Sequence, residues 1–80
     1  MFDYTYKIYF EDGTKEEIVT GDGNVERMVK ETEQDKNKKA TKIIVEDSKG
    51  KRKFVKENNK IYEIEDDGSK TQVLWVKDNF

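Results

Sequence analysis

Phe2-Asp3-Tyr4-Thr5-Tyr6-Lys7-Ile8-Tyr9-Phe10-Glu11-Asp12-Gly13-Thr14 is the most regularly patterned part of the chain. Phe2, Tyr4, Tyr6, Ile8 and Phe10 alternate with Asp3, Thr5, Lys7, Tyr9 and Glu11. That is the period of a β-strand with one apolar face. Asp12-Gly13 ends it with a hairpin signal. A three-residue loop, Glu11-Asp12-Gly13, with Gly13 in the left-handed conformation, sets Tyr6 opposite Ile18 and Lys7 opposite Glu17. The chain then returns over residues 14–20.

Working outward, Gly21-Asp22-Gly23-Asn24 breaks the alternation. Asp22 or Asn24 can cap a helix by accepting a bond from a free backbone N–H. Val25, Met28, Val29 and Thr32 follow at helical spacing and predict one apolar helix face. Arg27–Glu31 and Glu26–Lys30 are favourable pairs on its outer side. Beyond Ala40 four strands are expected, over residues 41–47, 51–57, 60–65 and 71–77. Their turns are Ser48-Lys49-Gly50, Asn58-Asn59 and Asp66-Asp67-Gly68, residues that tolerate positive φ.

The expected fold is therefore α+β and mostly antiparallel, in the order β-β-α-β-β-β-β. A hairpin, one amphipathic helix and a four-stranded meander form a curved sheet against the helix, in a single domain over residues 1–80. Pairing the meander through those turns sorts its side chains onto two faces. One holds Ile43, Val45, Val55, Tyr62, Ile64, Leu74 and Val76 and is expected to cover the core under the helix. The other mixes Ile44, Phe54, Ile61, Val73 and Trp75 with Lys42, Arg52, Lys56, Glu63 and Lys77. It is either covered by the N-terminal hairpin or left as an exposed patch, and exposed patches of that size are usually binding surfaces. A one-residue error in any turn exchanges the sets beyond it.

Composition agrees with a β fold. Seven Val and six Ile stand against one Leu and one Ala, with four Phe, four Tyr and one Trp. Branched and aromatic side chains suit a pleated surface. This offsets a charged fraction of 42%, which by itself leans toward disorder. Eighty residues bury about 60–65% of the surface their unfolded chain exposes, which leaves little core to give up for a deep cleft. Without Cys or His there is no disulfide, no thiolate nucleophile and no imidazole acid, base or metal ligand. The longest apolar run, Val73-Leu74-Trp75-Val76, is far short of a membrane span, and the first residues do not read as a secretory signal. A cytoplasmic protein without membrane association is expected.

Charge is segregated along the chain although the net is −2. Residues 11–35 carry nine acids and three bases, and residues 36–60 carry ten bases and three acids. The basic block reads either as a docking patch for an acidic partner or as lysines that keep strands soluble and unpaired. Phe54 and Trp75 among Lys42, Arg52, Lys56 and Lys77 could stack bases while the lysines follow phosphates, or could be ordinary core. Lys51 and Lys53 extend the basic hairpin. These eight residues are the candidate partner contacts. Tyr9, Glu26 and Glu33 are secondary candidates, Tyr9 because it points away from the apolar face of its strand and the two acids as part of an acidic helix.

Acid pairs at Glu11-Asp12, Glu16-Glu17, Glu46-Asp47 and Asp66-Asp67 lack the spacing of a calcium loop and mostly fall at turns. Gly21-Asp22-Gly23 lacks the spacing and Lys of a phosphate loop. No catalytic, cofactor or metal residue is expected. The leading expectation is a non-enzymatic protein-binding module that occludes a larger host protein or complex. The Lys-, Glu- and Asn-rich wording is typical of AT-rich genomes, including low-G+C bacteria and their phages. Small proteins written in this style suggest a phage- or mobile-element-type stoichiometric inhibitor, anti-defence in role and anti-CRISPR-like in kind. A nucleic-acid-binding sheet and a self-associating module, the latter a homodimer rather than a monomer, are the alternatives; a pI near 5.2 counts against the first of these.

Overall fold

The computed structural model describes residues 3–73. The elements run β1 (Tyr4–Phe10), β2 (Lys15–Thr20), α1 (Val25–Lys36), β3 (Ala40–Asp47), β4 (Gly50–Glu57), β5 (Lys60–Ile64) and β6 (Lys70–Gln72). All six strands lie in one antiparallel, curved open sheet in the order β2-β1-β3-β4-β5-β6. The N-terminal hairpin joins the meander edge to edge, because β1 pairs with both β2 and β3. This places the most regularly alternating strand one in from the β2 edge, where both its sides are paired.

Local chemistry fixes most of the registers. The Phe10 N–H donates to the Thr14 carbonyl at 2.9 Å and Gly13 takes φ +87°, so the first loop closes in three residues. Tyr6 then faces Ile18 and Lys7 faces Glu17, as the sequence predicts. Asn58 and Asn59 both adopt positive φ, which gives a two-residue hairpin turn of the twist that strands favour. Asn24 caps α1, its side chain accepting from the Arg27 N–H at 3.1 Å. Val25, Met28, Val29 and Thr32 are the helix residues that become buried. Gly23 leaves room for Tyr4, since a Cβ there would lie 2.8 Å from its ring and the ring would have to shift.

One turn departs from expectation, and it decides which face is core. Asp47 pairs directly with Gly50, so the β3–β4 turn has two residues, Ser48-Lys49, rather than three. The Asp47 carboxylate accepts from the Lys49 N–H at 2.8 Å and closes the chain early. Gly50, at φ +136°, becomes the first residue of the strand. Phe54 therefore faces Ile43, not Ile44, and Phe54 and Ile61 exchange places with Val55, Tyr62 and Ile64. The core consists of Tyr6, Ile8, Phe10, Ala40, Ile43, Val45, Phe54 and Ile61 of the sheet against Val25, Met28 and Val29 of α1. A one-residue bulge between Tyr9 and Phe10 of β1 and the start of β3 lets Ala40 and Ile43 both face inward.

Tyr6 is fully buried and its hydroxyl donates to the Asp22 carbonyl at 2.7 Å, pinning the loop that leads into α1. Burial first, then the nearby Asp22 charge, push its pKa from 10.0 up to about 12. The unfolded chain thus gives up this proton at lower pH than the folded one. The contribution is intact below pH 10 and is lost as pH rises toward 12. Tyr6→Phe is expected to flatten the decline of the urea midpoint over that window relative to the parent. Parallel declines in the two proteins would show that Tyr6 does not titrate in this way.

Candidate functional site

A sheet with a helix on one side has another side to account for. Alternation places Lys7 and Tyr9 of β1, Lys15, Glu17 and Val19 of β2, and Lys42, Ile44 and Glu46 of β3 on the face away from α1. The registers of the later strands add Lys51, Lys53, Val55 and Glu57 of β4, Lys60, Tyr62 and Ile64 of β5, and Lys70 of β6. None of these residues is buried, whereas Tyr6, Ile8 and Phe10 of β1 and Ala40, Ile43 and Val45 of β3, on the helix side, are. Tyr9, Ile44, Val55, Tyr62 and Ile64 are half-buried, shielded by neighbouring side chains and by no other element among the described residues.

Lysines dominate the charge of this open face. Lys7, Lys15, Lys42, Lys51, Lys53, Lys60 and Lys70 outnumber Glu17, Glu46 and Glu57. Several arch over the rings between them. Lys42 and Lys15 place their ammonium groups 5.0 and 5.8 Å from the centre of the Tyr9 ring, and Lys70 lies 6.0 Å from that of Tyr62. Ring and cation attract each other there, and the lysine stems cover apolar surface while their heads stay in water. Lys70 also reaches Glu57 at 3.1 Å.

The candidate contacts fall into two groups. Tyr9, Lys42, Lys51 and Lys53 come together on the open face. Arg52, Phe54 and Lys56 project to the helix side. Phe54 is only 1% exposed and belongs to the core, so it has no surface on which a base could stack. Arg52 lies 5.2 Å from the Phe54 ring centre and forks onto Glu63 at 2.9 and 2.8 Å. The guanidinium holds the Glu63 carboxyl below its ordinary range, and Glu63 raises Arg52 in turn. Glu33 and Lys56 are partners of each other at 2.6 Å, and Glu33 also accepts from the Ala40 N–H at 2.7 Å. Glu26 is exposed in the first turn of α1. Trp75 and Lys77 lie outside the described residues.

The sequence puts Ile44 on the same face as Lys42, but it assigns Val55, Tyr62 and Ile64 to the core face and does not bring Lys15 or Lys70 beside the rings. The exchange of Val55, Tyr62 and Ile64 follows from the shorter turn at Ser48-Lys49. A cleft of about 420 Å³ lies between α1 and β5–β6, with Val29, Ile61 and Val73 in its lining. The facing charges within it, Glu33 and Lys56, neutralise each other. Among the described residues no three acidic groups are placed to hold a metal ion, and no helix is long and apolar enough to cross a membrane. Comparison with protein-family models, characterised proteins and solved structures finds no match to this chain.

Proposed function

We propose that this protein is a non-enzymatic binding module that works by covering the surface of a larger partner protein. The observation that carries the reading is the open sheet face, where five half-buried apolar and aromatic residues sit among an excess of lysines. A face of this kind offers apolar area at its centre and charge that steers an acidic surface into place. The size of the chain and the use of its polar side chains in structural pairs support a role by contact rather than by catalysis. In biological terms the proposal is a cytoplasmic stoichiometric inhibitor of phage or mobile-element type, anti-defence and anti-CRISPR-like, that occludes a host enzyme.

Nucleic acid is the second reading, favoured by the same lysine-flanked Tyr9 and Tyr62 rings. Charge reversal on this face removes either kind of partner, and what the unaltered face binds separates the two. Lys42→Glu, Lys51→Glu and Lys53→Glu together reverse the charge of the open face without touching the core. The expected result is loss of a single host complex from affinity capture while the urea midpoint changes little. Tyr62→Ala is expected to weaken capture at least tenfold as well. Capture that survives both changes would move the contact elsewhere. Binding of single-stranded oligonucleotides that falls steeply between low and moderate salt would instead favour the nucleic-acid reading.

A further inference from the structure

Strand β2 is an edge of the sheet with nothing paired to its outer side among the described residues. The hydrogen bond from Phe10 to Thr14 sets the phase of the β1–β2 ladder. Paired residues two apart, Ile8–Glu16 and Tyr6–Ile18, share its bonds, so the backbone groups of Lys15, Glu17 and Val19 point outward. Edge strands are commonly protected by brevity, by charged side chains, by Pro, or by bulges, and here only Lys15, Glu16 and Glu17 supply such protection. Strand β2 has six residues, no Pro and no register shift. It also carries Val19, at 67% exposure the one exposed large hydrophobic among the described residues.

On the helix side the same edge borders a groove of about 580 Å³ between β2 and α1. Ile18 and Met28 supply its apolar floor, and Glu16, Glu31 and Asp35 surround it with negative charge. Lys36 is the single cation in the lining, and it is already engaged with Glu16 at 3.6 Å and Asp35 at 4.0 Å. A strand added beside β2 would bond to Lys15, Glu17 and Val19 and place alternate side chains over this groove. A second copy of the chain would set these carboxylates against their own duplicates. A basic strand would meet opposite charge.

We infer that β2 accepts an extended segment of another protein by strand addition, with an aliphatic side chain opposite Ile18 and a Lys or Arg two residues along, opposite Glu16. This surface borders the open face along Lys15, Glu17 and Val19 but selects the opposite partner: it takes a cationic strand, where the open face selects an acidic surface. Main-chain bonds give such a complex its affinity, and the alternate side chains give it specificity. The segment would also cover Val19 on the opposite side of the sheet.

The test uses the full chain and an array of immobilised seven-residue peptides, with Thr at alternate positions and Lys, Arg, Val, Ile, Glu or Asp at the others. Retained peptides are expected to combine an aliphatic residue with a Lys or Arg two positions away. The best of them, added to labelled protein, is expected to slow amide hydrogen exchange at Lys15, Glu17 and Val19 at least tenfold. Glu17→Pro removes an outward N–H at an edge position, where Pro is tolerated, and should abolish this protection. Glu31→Lys with Asp35→Lys, both at exposed sites, should weaken binding at least tenfold and serves if the Pro variant does not fold. Retention of no peptide, or equal retention of acidic ones, would overturn the inference. So would protection of the three amides that grows with protein concentration in the absence of peptide, which would identify a second copy as the occupant.

Discussion

Phe54→Ala is expected to leave the domain largely unfolded at room temperature, whereas Val55→Ala, one residue along, is expected to cost less than about 1 kcal/mol. Phe54 is among the largest fully buried side chains and packs with Ile43 and the helix in a single cluster. Truncating such a ring costs about 3–5 kcal/mol, since its apolar area is lost and the cavity closes only in part. A domain of this size has a net stability of roughly the same magnitude. Val55 lies on the open face and loses only partial burial when cut to Ala. Urea unfolding followed by circular dichroism measures both. Equal costs, or the reverse order, would place the helix on the other face of the sheet.

Glu33→Ala is the second large effect, at about 2–4 kcal/mol. Glu33 and the Lys56 ammonium are each 17% exposed, and Glu33 ties three elements together by also accepting from the Ala40 N–H at the start of β3. Removing the carboxylate leaves an ammonium and a backbone donor without their partner, and such stranded groups cost more than the intact pair contributes. Glu33→Gln should cost less, because an amide oxygen can still accept from Ala40. Combining Glu33→Gln with Lys56→Met should show a coupling of about 1 kcal/mol or more in a double-mutant cycle. The coupling should persist in concentrated salt, since partly buried pairs are weakly screened. Values below about 0.5 kcal/mol for Glu33→Ala would mean that the pair behaves as an ordinary surface contact.

What the sequence could disclose followed from how local each determinant is. The β1–β2 register rests on one alternating strand and one Asp-Gly turn, and both can be read within fifteen residues. The buried stripe of α1 is likewise local. The β3–β4 register hung on whether Gly50 ends a turn or begins a strand, and the local sequence fits both. Hydrophobic pattern could not arbitrate, because Phe54-Val55 and Ile61-Tyr62 put apolar side chains on both faces in either register. In the folded chain Gly50 begins the strand opposite Asp47, whose side chain accepts from the Lys49 N–H within the shorter turn. Glu33 and Lys56 stand 23 residues apart and read as separate candidate contacts on different elements. Only packing α1 across β4 makes them a pair. The lysines of the candidate site were legible as a basic block, but not their division between two faces.

Solvent accessibility of individual side chains shows which face of the sheet α1 covers, and the proposed contact surface is the face it leaves open. A soluble gadolinium chelate added to methyl- and aromatic-labelled protein broadens signals in proportion to their exposure. Signals of Ile44, Val55, Tyr62 and Ile64 are expected to broaden strongly, while those of Ile43, Phe54 and Ile61 are spared. Broadening of Phe54 and Ile61 with protection of Val55, Tyr62 and Ile64 would put α1 on the other side of the sheet and remove the proposed contact surface.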